Sequence, residues 1–167
     1  MCIRDSLITV MTAQHGLQRY EVSAFARAGQ ACAHNLNYWR FGDYLGIGAG
    51  AHGKLSFAHR VLRQVRLRDP ARYMAQALAG SAVAQSDEVS RADLPFEFML
   101  NALRLVEGVE SQLFFDRCGL PLNAIAQALD QAELRGLLLR DLQRIRPSPR
   151  GLDFLNDLQS LFLPVSG

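Results

Sequence analysis

The 167-residue sequence has no long apolar run. Even its glycine- and alanine-rich stretch, residues 46–53, is interrupted at His52 and is far shorter than the roughly 18–20 residues that a membrane-spanning helix needs. The overall composition, 49% apolar and 20% charged, is that of an ordinary globular protein. These values exclude disordered, collagen-like, coiled-coil and membrane-spanning chains, and they predict a soluble protein of one domain or two small ones.

Cysteine is scarce as well. The three cysteines, Cys2, Cys32 and Cys118, are odd in number and lie far apart, which argues against a disulfide framework and favours a reducing compartment. The first residues have neither the apolar core of a secretory signal nor the basic, acid-free character of a transit peptide. We therefore predict a cytoplasmic protein, and we expect residues 1–12 to be a non-native or disordered start.

Lysine is almost absent, since Lys54 is the single lysine and the other seventeen basic residues are arginines. The formal net charge is +2. Residues 1–93 have 11 basic and 7 acidic residues, whereas residues 94–167 have 7 basic and 9 acidic ones. Neither half has the excess of positive charge that neutralises nucleic acid phosphates, so the composition does not predict binding to DNA or RNA.

Two segments near the N-terminus have the pattern of strands. Residues 20–26 alternate between two faces, and residues 44–51 are apolar on both faces and rich in small residues, as in a buried parallel strand that runs into a glycine loop. Residues 30–43 between them are predicted to form a polar and aromatic loop. Because two strands cannot bury a parallel sheet by themselves, this part is typical of the end of a larger α/β fold, and we expect the chain to be a fragment.

Two helices are predicted after these strands. Residues 55–67 have an apolar stripe with arginines on the opposite side. Asp69 and Pro70 have the character of a helix N-cap and first helical position, and Gly80 that of a stop signal. Residues 81–93 are small, polar and acidic without periodicity, which predicts a linker. The residues of the second helix that are expected to face inward are Tyr73, Met74 and Ala77.

The C-terminal part, residues 94–167, is predicted to be a separate small domain. Its pattern indicates an amphipathic helix that ends near Gly108, a short segment closed by Cys118 and Gly119, and a third helix that begins at Pro121. Two strand-like pieces and a closing helix follow, which is the order of a winged-helix-like module. The strand-like pieces are residues 136–139 and 145–147, and the closing helix covers residues 152–162.

The densest polar and aromatic cluster is found at residues 32–39, in the predicted loop. Loops that follow buried strands are where α/β folds place their sites. The imidazole of His34 can ligate iron or another transition metal, Asn35 can orient a ligand, and Tyr38 and Trp39 offer flat apolar area that suits a macrocycle. The alternative interpretation is that the polar pair caps the loop while the aromatic pair packs against the sheet. No CxxCH signature is present, so a bound haem would be held non-covalently.

Three further features are weaker candidates. The glycines around His52 allow close approach of a ligand, but their spacing is not that of a dinucleotide-binding motif. Cys118 is interpreted as a buried apolar residue, since no histidine is near it in the sequence. A series of arginines could face an anionic group, although a charge run at helical spacing is usually a solvated face. The arginines of this series are Arg60, Arg63, Arg66, Arg68 and Arg72.

Three stretches together carry a specific resemblance: YEVSAFA at residues 20–26, CAHNLNYWR at residues 32–40 and DYLGIGAGAHG at residues 43–53. They closely resemble the HemW family of haem chaperones, radical S-adenosylmethionine proteins related to oxygen-independent coproporphyrinogen III oxidase. LPFEF at residues 94–98 and FLNDL at residues 154–158 are similar to that family's C-terminal domain. The resemblance extends over nearly all of the sequence.

The resemblance implies a fold of α/β and α+β character. Residues 13–80 would be the last strands and helices of a truncated, TIM-like radical S-adenosylmethionine barrel, followed by the linker and by a HemN-type C-terminal domain at residues 94–167. The HNxxYW element of the family implies haem binding, with His34 as the iron ligand and Cys32 as the alternative ligand. The haem-binding residues carried over to this chain are His34, Asn35, Tyr38 and Trp39.

The chain also departs from the family pattern, because the CxxxCxxC cluster motif and the glycine-rich S-adenosylmethionine motif are not among its residues. The resemblance therefore implies a [4Fe-4S] cluster and S-adenosylmethionine only in a full-length parent, and we expect no enzymatic activity from these residues alone. The expected partners are haem and the respiratory haem proteins that receive it. Peripheral contact with a membrane and a homodimeric parent are both compatible with that role.

Two alternative functions remain open at this point. One is a fragment of an oxygen-independent coproporphyrinogen III oxidase of porphyrin biosynthesis, against which the HNxxYW element argues. The other is a winged-helix interaction module, whose binding to DNA is disfavoured by the acidic residues of its third helix, Asp130 and Glu133.

Overall fold

The computed structural model of the protein describes residues 3–164, which form eight α-helices, eight strands and one 3₁₀ helix, Leu122–Ile125. They divide into two compact units. The second unit is Gly42–Leu94, and the first is formed by the described residues before and after it. The elements in chain order are α1 (Ile3–Gln14), β1 (Gln18–Glu21), β2 (Ala24–Ala26), α2 (Ala33–Trp39), β3 (His52–Phe57), β4 (Arg60–Arg66), α3 (Pro70–Leu78), β5 (Val83–Glu88), α4 (Leu94–Ala102), β6 (Val109–Glu110), α5 (Ser111–Cys118), α6 (Ala126–Leu134), β7 (Leu138–Arg140), β8 (Arg144–Pro147), α7 (Pro149–Asp153) and α8 (Leu155–Ser160).

The start of the first unit differs from the sequence prediction in two respects. Helix α1 occupies Ile3–Gln14, so the expected disorder over residues 1–12 is wrong for the described part of that range. The strand predicted over residues 20–26 is a hairpin, in which β1 and β2 pair antiparallel. The reason for the turn is local: one carboxylate oxygen of Glu21 accepts hydrogen bonds from the backbone N–H of Ser23 at 3.0 Å and from its hydroxyl at 2.9 Å.

Two distant chain segments pair in the first unit. The backbone N–H of Val22 donates to the carbonyl of Arg104 at 3.1 Å, and the N–H of Val106 donates to the carbonyl of Tyr20 at 3.1 Å. Glu21 forms an antiparallel bridge with Leu105 between these bonds. The β1–β2 hairpin is therefore attached to the segment that follows α4.

The C-terminal elements follow the predicted order. Helix α5 ends at Gly119, which adopts a left-handed conformation, and the third helix begins after Pro121 with a 3₁₀ turn that continues into α6. Strands β7 and β8 form the predicted hairpin, and β6 pairs on the other edge of β8. Gly108 precedes β6 with a φ of 62°, and a Cβ there would collide with the carbonyl oxygen of Ile145. The closing helix is divided at Phe154 into α7 and α8.

The core of the first unit is a stack of aromatic rings extended by aliphatic side chains. The ring of Phe98, fully buried, meets Phe41 edge-on at 5.9 Å between centroids and Phe114 at 5.4 Å. The Nε2 of Gln159 donates to the carbonyl of Leu100 at 2.8 Å, which attaches α8 to α4. The other fully buried residues of this core include Met99, Leu103, Leu129, Leu138, Ile145 and Leu158.

The second unit is built on the antiparallel sheet β3–β4–β5. The helix predicted over residues 55–67 is wrong, because these residues lie mainly in the β3–β4 hairpin with a turn at Ala58 and His59. Val61 and Val65 are four residues apart, a spacing that places two side chains on one face in a helix and in a strand alike. Their branched side chains favour the strand, where Val61 stands opposite Ser56 and Val65 opposite His52.

Residues 44–51 do not form the predicted buried strand. Leu45 and Ile47 are 70% and 83% exposed, and the only pairing in the segment is an isolated bridge between Tyr44 and Lys54. The segment runs back against β3, where a Cβ on Gly46 would collide with the carbonyl of His52. The expected parallel pairing is also wrong for residues 3–164, in which every strand pair is antiparallel.

The remaining predictions for the second unit have mixed outcomes. Helix α3 is confirmed: the Asp69 side chain accepts from the Arg72 N–H at 2.7 Å, and Pro70 is the first helical residue. Tyr73 is half-buried, but Met74 and Ala77 are exposed and do not face inward as predicted. Residues 81–93, predicted as a linker without regular structure, contain β5, which pairs with β4. Among residues 3–164, no helix has the length and apolar character needed to cross a bilayer.

We predict that Phe98→Ala lowers the free energy of unfolding by about 3–5 kcal/mol, because it leaves a cavity between two aromatic rings. Chemical denaturation followed by circular dichroism measures the change. Phe115→Ala is the matched control on α5, since that ring is exposed, and it should cost less than about 1 kcal/mol. Equal losses for the two variants would contradict this description of the core.

Candidate functional site

Residues 32–39, expected in a loop, form helix α2 instead. Cys32 is its N-cap residue but makes no side-chain capping bond, and no residue of the helix is fully buried. The helix ends where Phe41 adopts a positive φ of 55°, which reverses the chain and places the ring of Phe41 against Phe98. A seven-residue helix without a cap depends on tertiary contacts, and the packing of Phe41 supplies one just after its C-terminus.

The helical period separates the four residues of the HNxxYW element into two pairs. His34 and Tyr38, four residues apart, form one pair, and Asn35 and Trp39 form the other. The rings of His34 and Tyr38 meet edge-on, with centroids 4.8 Å apart and planes at 81°. His34 is exposed and Tyr38 half-buried, so this pair presents an imidazole beside a phenol at the surface.

Asn35 and Trp39 contact other parts of the first unit. The Nδ2 of Asn35 donates to the hydroxyl of Tyr20, on β1, at 3.0 Å. The guanidinium of Arg104 lies over the indole ring of Trp39, 4.3 Å from its centroid. The alternative interpretation from the sequence, in which the polar pair caps the loop while the aromatic pair packs against the sheet, groups the four residues differently, because each pair in the structure has one polar and one aromatic member.

A buried carboxylate pairs with Arg104, the residue that covers Trp39. Glu21 is only 2% exposed, and one of its oxygens accepts from a terminal nitrogen of Arg104 at 3.2 Å. The same nitrogen of Arg104 lies 3.5 Å from the hydroxyl of Ser23, which also donates to Glu21. Sequence reasoning gave neither Glu21 nor Arg104 a role in the site, because the two are separated by more than eighty residues and nothing in the sequence indicates that they meet.

Two exposed side chains at the start of α2 are of types that bind transition metals. The imidazole of His34 and the thiol of Cys32 both lie at the surface, and either can supply the single protein ligand that a haem iron requires. Residues 3–164 contain no group of three or more His, Cys, Asp or Glu side chains that could hold a metal ion. Cys118 is buried, whereas Cys32 is exposed.

A second polar cluster lies in the second unit and was not predicted. Lys54, the single lysine, is almost fully buried, and its ammonium contacts a carboxylate oxygen of Asp43 at 3.1 Å and the Ser56 hydroxyl at 2.9 Å. Asp43 also accepts from the backbone N–H of Ser56 at 3.0 Å and from its hydroxyl at 2.7 Å. Burial raises the pKa of Asp43, but the bonds from Ser56 and the charge of Lys54 outweigh it and hold the pKa below its ordinary value of 3.8.

The other predicted candidates are not brought together into a site. The carbonyl of Gly46 accepts from the Nε of Arg66 at 3.0 Å, and the N–H of Gly48 donates to the Tyr73 hydroxyl at 3.0 Å, so the glycine segment is bonded to its own unit. The arginine series is distributed over β4, the following loop and α3. Cys118 is buried, as predicted.

Comparison with known proteins bears on this arrangement. Residues 89–154 match the model of the HemN C-terminal domain family. Heme chaperone HemW of Haemophilus influenzae is 42% identical over 149 residues, which cover 89% of this chain and 38% of that protein. The predicted resemblance to the HemW family is thereby confirmed.

Further relatives and one solved structure are also similar to this chain. Heme chaperone HemW of Escherichia coli gives the same identity and coverage. A mitochondrial radical S-adenosyl methionine domain-containing protein 1 of Mus musculus is 32% identical over 158 residues, 89% of this chain and 36% of that protein. The HemN structure of Escherichia coli, described as a coproporphyrinogen III oxidase and radical SAM enzyme, aligns with a TM-score of 0.65 at 16% identity over 94% of this chain and 39% of that one. The chain thus spans about two fifths of the length of these relatives.

The Asp43–Lys54 pair predicts a pH-dependent stability in the second unit. Because the folded state lowers the pKa of Asp43, its stabilising contribution is present above about pH 4 and is lost as the pH falls through the folded pKa. Asp43→Asn should cost about 2 kcal/mol near pH 7, less than a fully buried pair would, because Asp43 is partly exposed.

Urea unfolding near pH 7 and near pH 3 measures this effect. The difference between wild type and Asp43→Asn should shrink at the acidic pH. Asp87→Asn, an exposed carboxylate on β5 of the same sheet, is the control and should change stability little at either pH. A difference that grows on acidification would overturn the assignment.

Proposed function

We propose that this chain binds haem on the outward face of helix α2, as the haem-binding part of a HemW-like haem chaperone. The observation that supports this function best is the division of the HNxxYW element. Asn35 and Trp39 attach the helix to the first unit, while His34 and Tyr38 remain together at the surface. A helix attached through one face and carrying an imidazole on the other presents an iron ligand to an incoming macrocycle.

The chemistry of the outward face suits haem as a cargo. The His34 imidazole supplies a nitrogen ligand for iron, and the ring of Tyr38 beside it supplies apolar area for contact with the porphyrin edge. Cys32, exposed just before α2, is the alternative ligand. An exposed site holds its ligand less firmly than an enclosed pocket does, which suits a protein that hands its cargo on.

The four residues therefore have two proposed roles. His34 and Tyr38 contact haem, and His34 is its iron ligand. Asn35 and Trp39 belong to the same site, but they act by fixing the orientation of α2. Trp39 already has one face covered by the guanidinium of Arg104, so its contribution to direct stacking on a macrocycle is smaller than the sequence alone would indicate.

The activity of the whole protein is a wider proposal that rests on the resemblance. We propose that the parent protein acts in the cytoplasm and delivers haem to respiratory haem proteins. We further propose that it carries its [4Fe-4S] cluster and S-adenosylmethionine in a radical S-adenosylmethionine barrel of which residues 13–80 are the C-terminal end. We also propose that residues 94–164 form a winged-helix-like module. The order of α4, α5, α6 and the β7–β8 hairpin supports that description.

Titration of the 167-residue chain with haem, followed by the Soret band, tests the proposed function. His34→Ala should shift the Soret maximum and weaken binding by roughly tenfold or more, because the iron loses its ligand. Tyr38→Ala should weaken binding by about 1 kcal/mol with little spectral change, because it removes only apolar contact. Cys32→Ser separates the two candidate ligands, and it should leave the Soret maximum unchanged if His34 binds the iron.

His52 and His59 provide matched controls, since both are exposed and lie in the second unit. Their alanine variants should bind haem as the wild type does. Binding that survives His34→Ala unchanged and is lost in His52→Ala would transfer the ligand to the glycine segment. That result would refute the assignment of the site to α2.

A further inference from the structure

We propose that Arg104 is a positioning residue for the haem-binding helix, acting together with Glu21 through Trp39. Arg104 lies within residues 89–154, which match the HemN C-terminal domain, whereas α2 ends about fifty residues before that stretch begins. The inference is that the C-terminal domain sets the orientation of α2 and, with it, the affinity for haem. It rests on the proposed function, because it concerns the same face of the same helix.

The first observation is that Arg104 makes three contacts at once. Its guanidinium covers the indole of Trp39 at 4.3 Å, and one terminal nitrogen reaches Glu21 at 3.2 Å and the Ser23 hydroxyl at 3.5 Å. A planar guanidinium can stack on a ring with its face while it donates in its plane. A lysine ammonium retains the charge but lacks this combination.

The second observation is that Arg104 is itself held by the backbone. Its carbonyl accepts from the N–H of Val22, and Glu21 bridges to Leu105, the next residue. The side chain therefore starts from a fixed point between β1 and the segment after α4. Glu21 is in turn fixed by the two bonds that it accepts from Ser23.

The third observation is that α2 is short and gains little from its own caps or from burial. It has seven residues, no side-chain cap and no fully buried residue. Its attachments in the first unit include the bond from Asn35 to Tyr20, the stacking of Trp39 under Arg104, and the turn at Phe41. Removal of the stacked guanidinium leaves the inward face of α2 attached near its start while its last turn loses a contact. The His34 and Tyr38 rings are carried by the same helix, so their orientation changes with it.

Trp39 is the single tryptophan of the sequence, so its fluorescence reports on this contact directly. In the 167-residue chain, Arg104→Lys should increase the quenching of Trp39 emission by acrylamide about twofold, since part of the covered ring becomes accessible. It should also weaken haem binding about tenfold while the Soret maximum stays in place, because the iron ligand is unchanged. A simple loss of the ligand would shift the maximum instead.

Arg140→Lys is the matched control. Arg140 lies in the same domain, has the same side-chain exposure of 27%, and pairs with Asp130 at 2.9 Å and Glu133 at 2.8 Å, but has no part in the Trp39 contact. It should leave both the quenching and the haem affinity at wild-type values. Both variants are compared under conditions in which circular dichroism shows them folded. If Arg104→Lys does not fold, the double variant Glu21→Gln with Arg104→Met removes both charges together and takes its place.

The outcomes separate the two proposals. If the wild-type chain causes no change in the Soret absorption of added haem, it does not bind haem, and both the proposed function and this inference are refuted. A wild type that binds haem, with Arg104→Lys equal to Arg140→Lys in affinity, overturns the positioning role and leaves the proposed function intact. Increased quenching without loss of affinity also overturns it, because the contact would then be structural only.

Discussion

The buried carboxylate of Glu21 is the constraint on which the described site depends. A carboxylate removed from water is stable only when charged or polar donors surround it, and here those donors are Ser23 and Arg104. The need to satisfy Glu21 fixes the guanidinium of Arg104, and the guanidinium in turn covers Trp39. A contact between residues far apart in the sequence thus extends to the helix that carries the candidate haem ligand.

The success of sequence reasoning depended on how local the signals were. Asp69 with Pro70, Gly119 and Pro121 mark helix ends through interactions within a few residues, and the structure places helix ends at each of them. The helix prediction over residues 55–67 failed, because the spacing of Val61 and Val65 fits a helix and a strand equally well. A turn made by one side chain, as at Glu21, also breaks an alternating pattern without changing the composition.

The candidate site shows the same division. The HNxxYW residues could be selected from the sequence, since their types suit a haem and their resemblance to a family is specific. Their division into an exposed pair and an attached pair could not be predicted, because it follows from the helical period of residues that were expected to form a loop. The contact of Arg104 with Trp39 could not be predicted from the sequence, because only the pairing of residues 20–22 with residues 104–106 brings the two side chains together.

The buried lysine of the second unit gives the protein an internal reporter. Lys54 is the only lysine of the sequence, and its ammonium is enclosed and bonded to Asp43 and Ser56. Reagents that acylate primary amines react with an ε-amino group only when it is accessible and uncharged. Acylation of the Lys54 side chain therefore requires the contacts that enclose it to open. The rate of modification at this one residue measures how often the second unit opens. It is independent of the fluorescence of Trp39, which reports on the first unit.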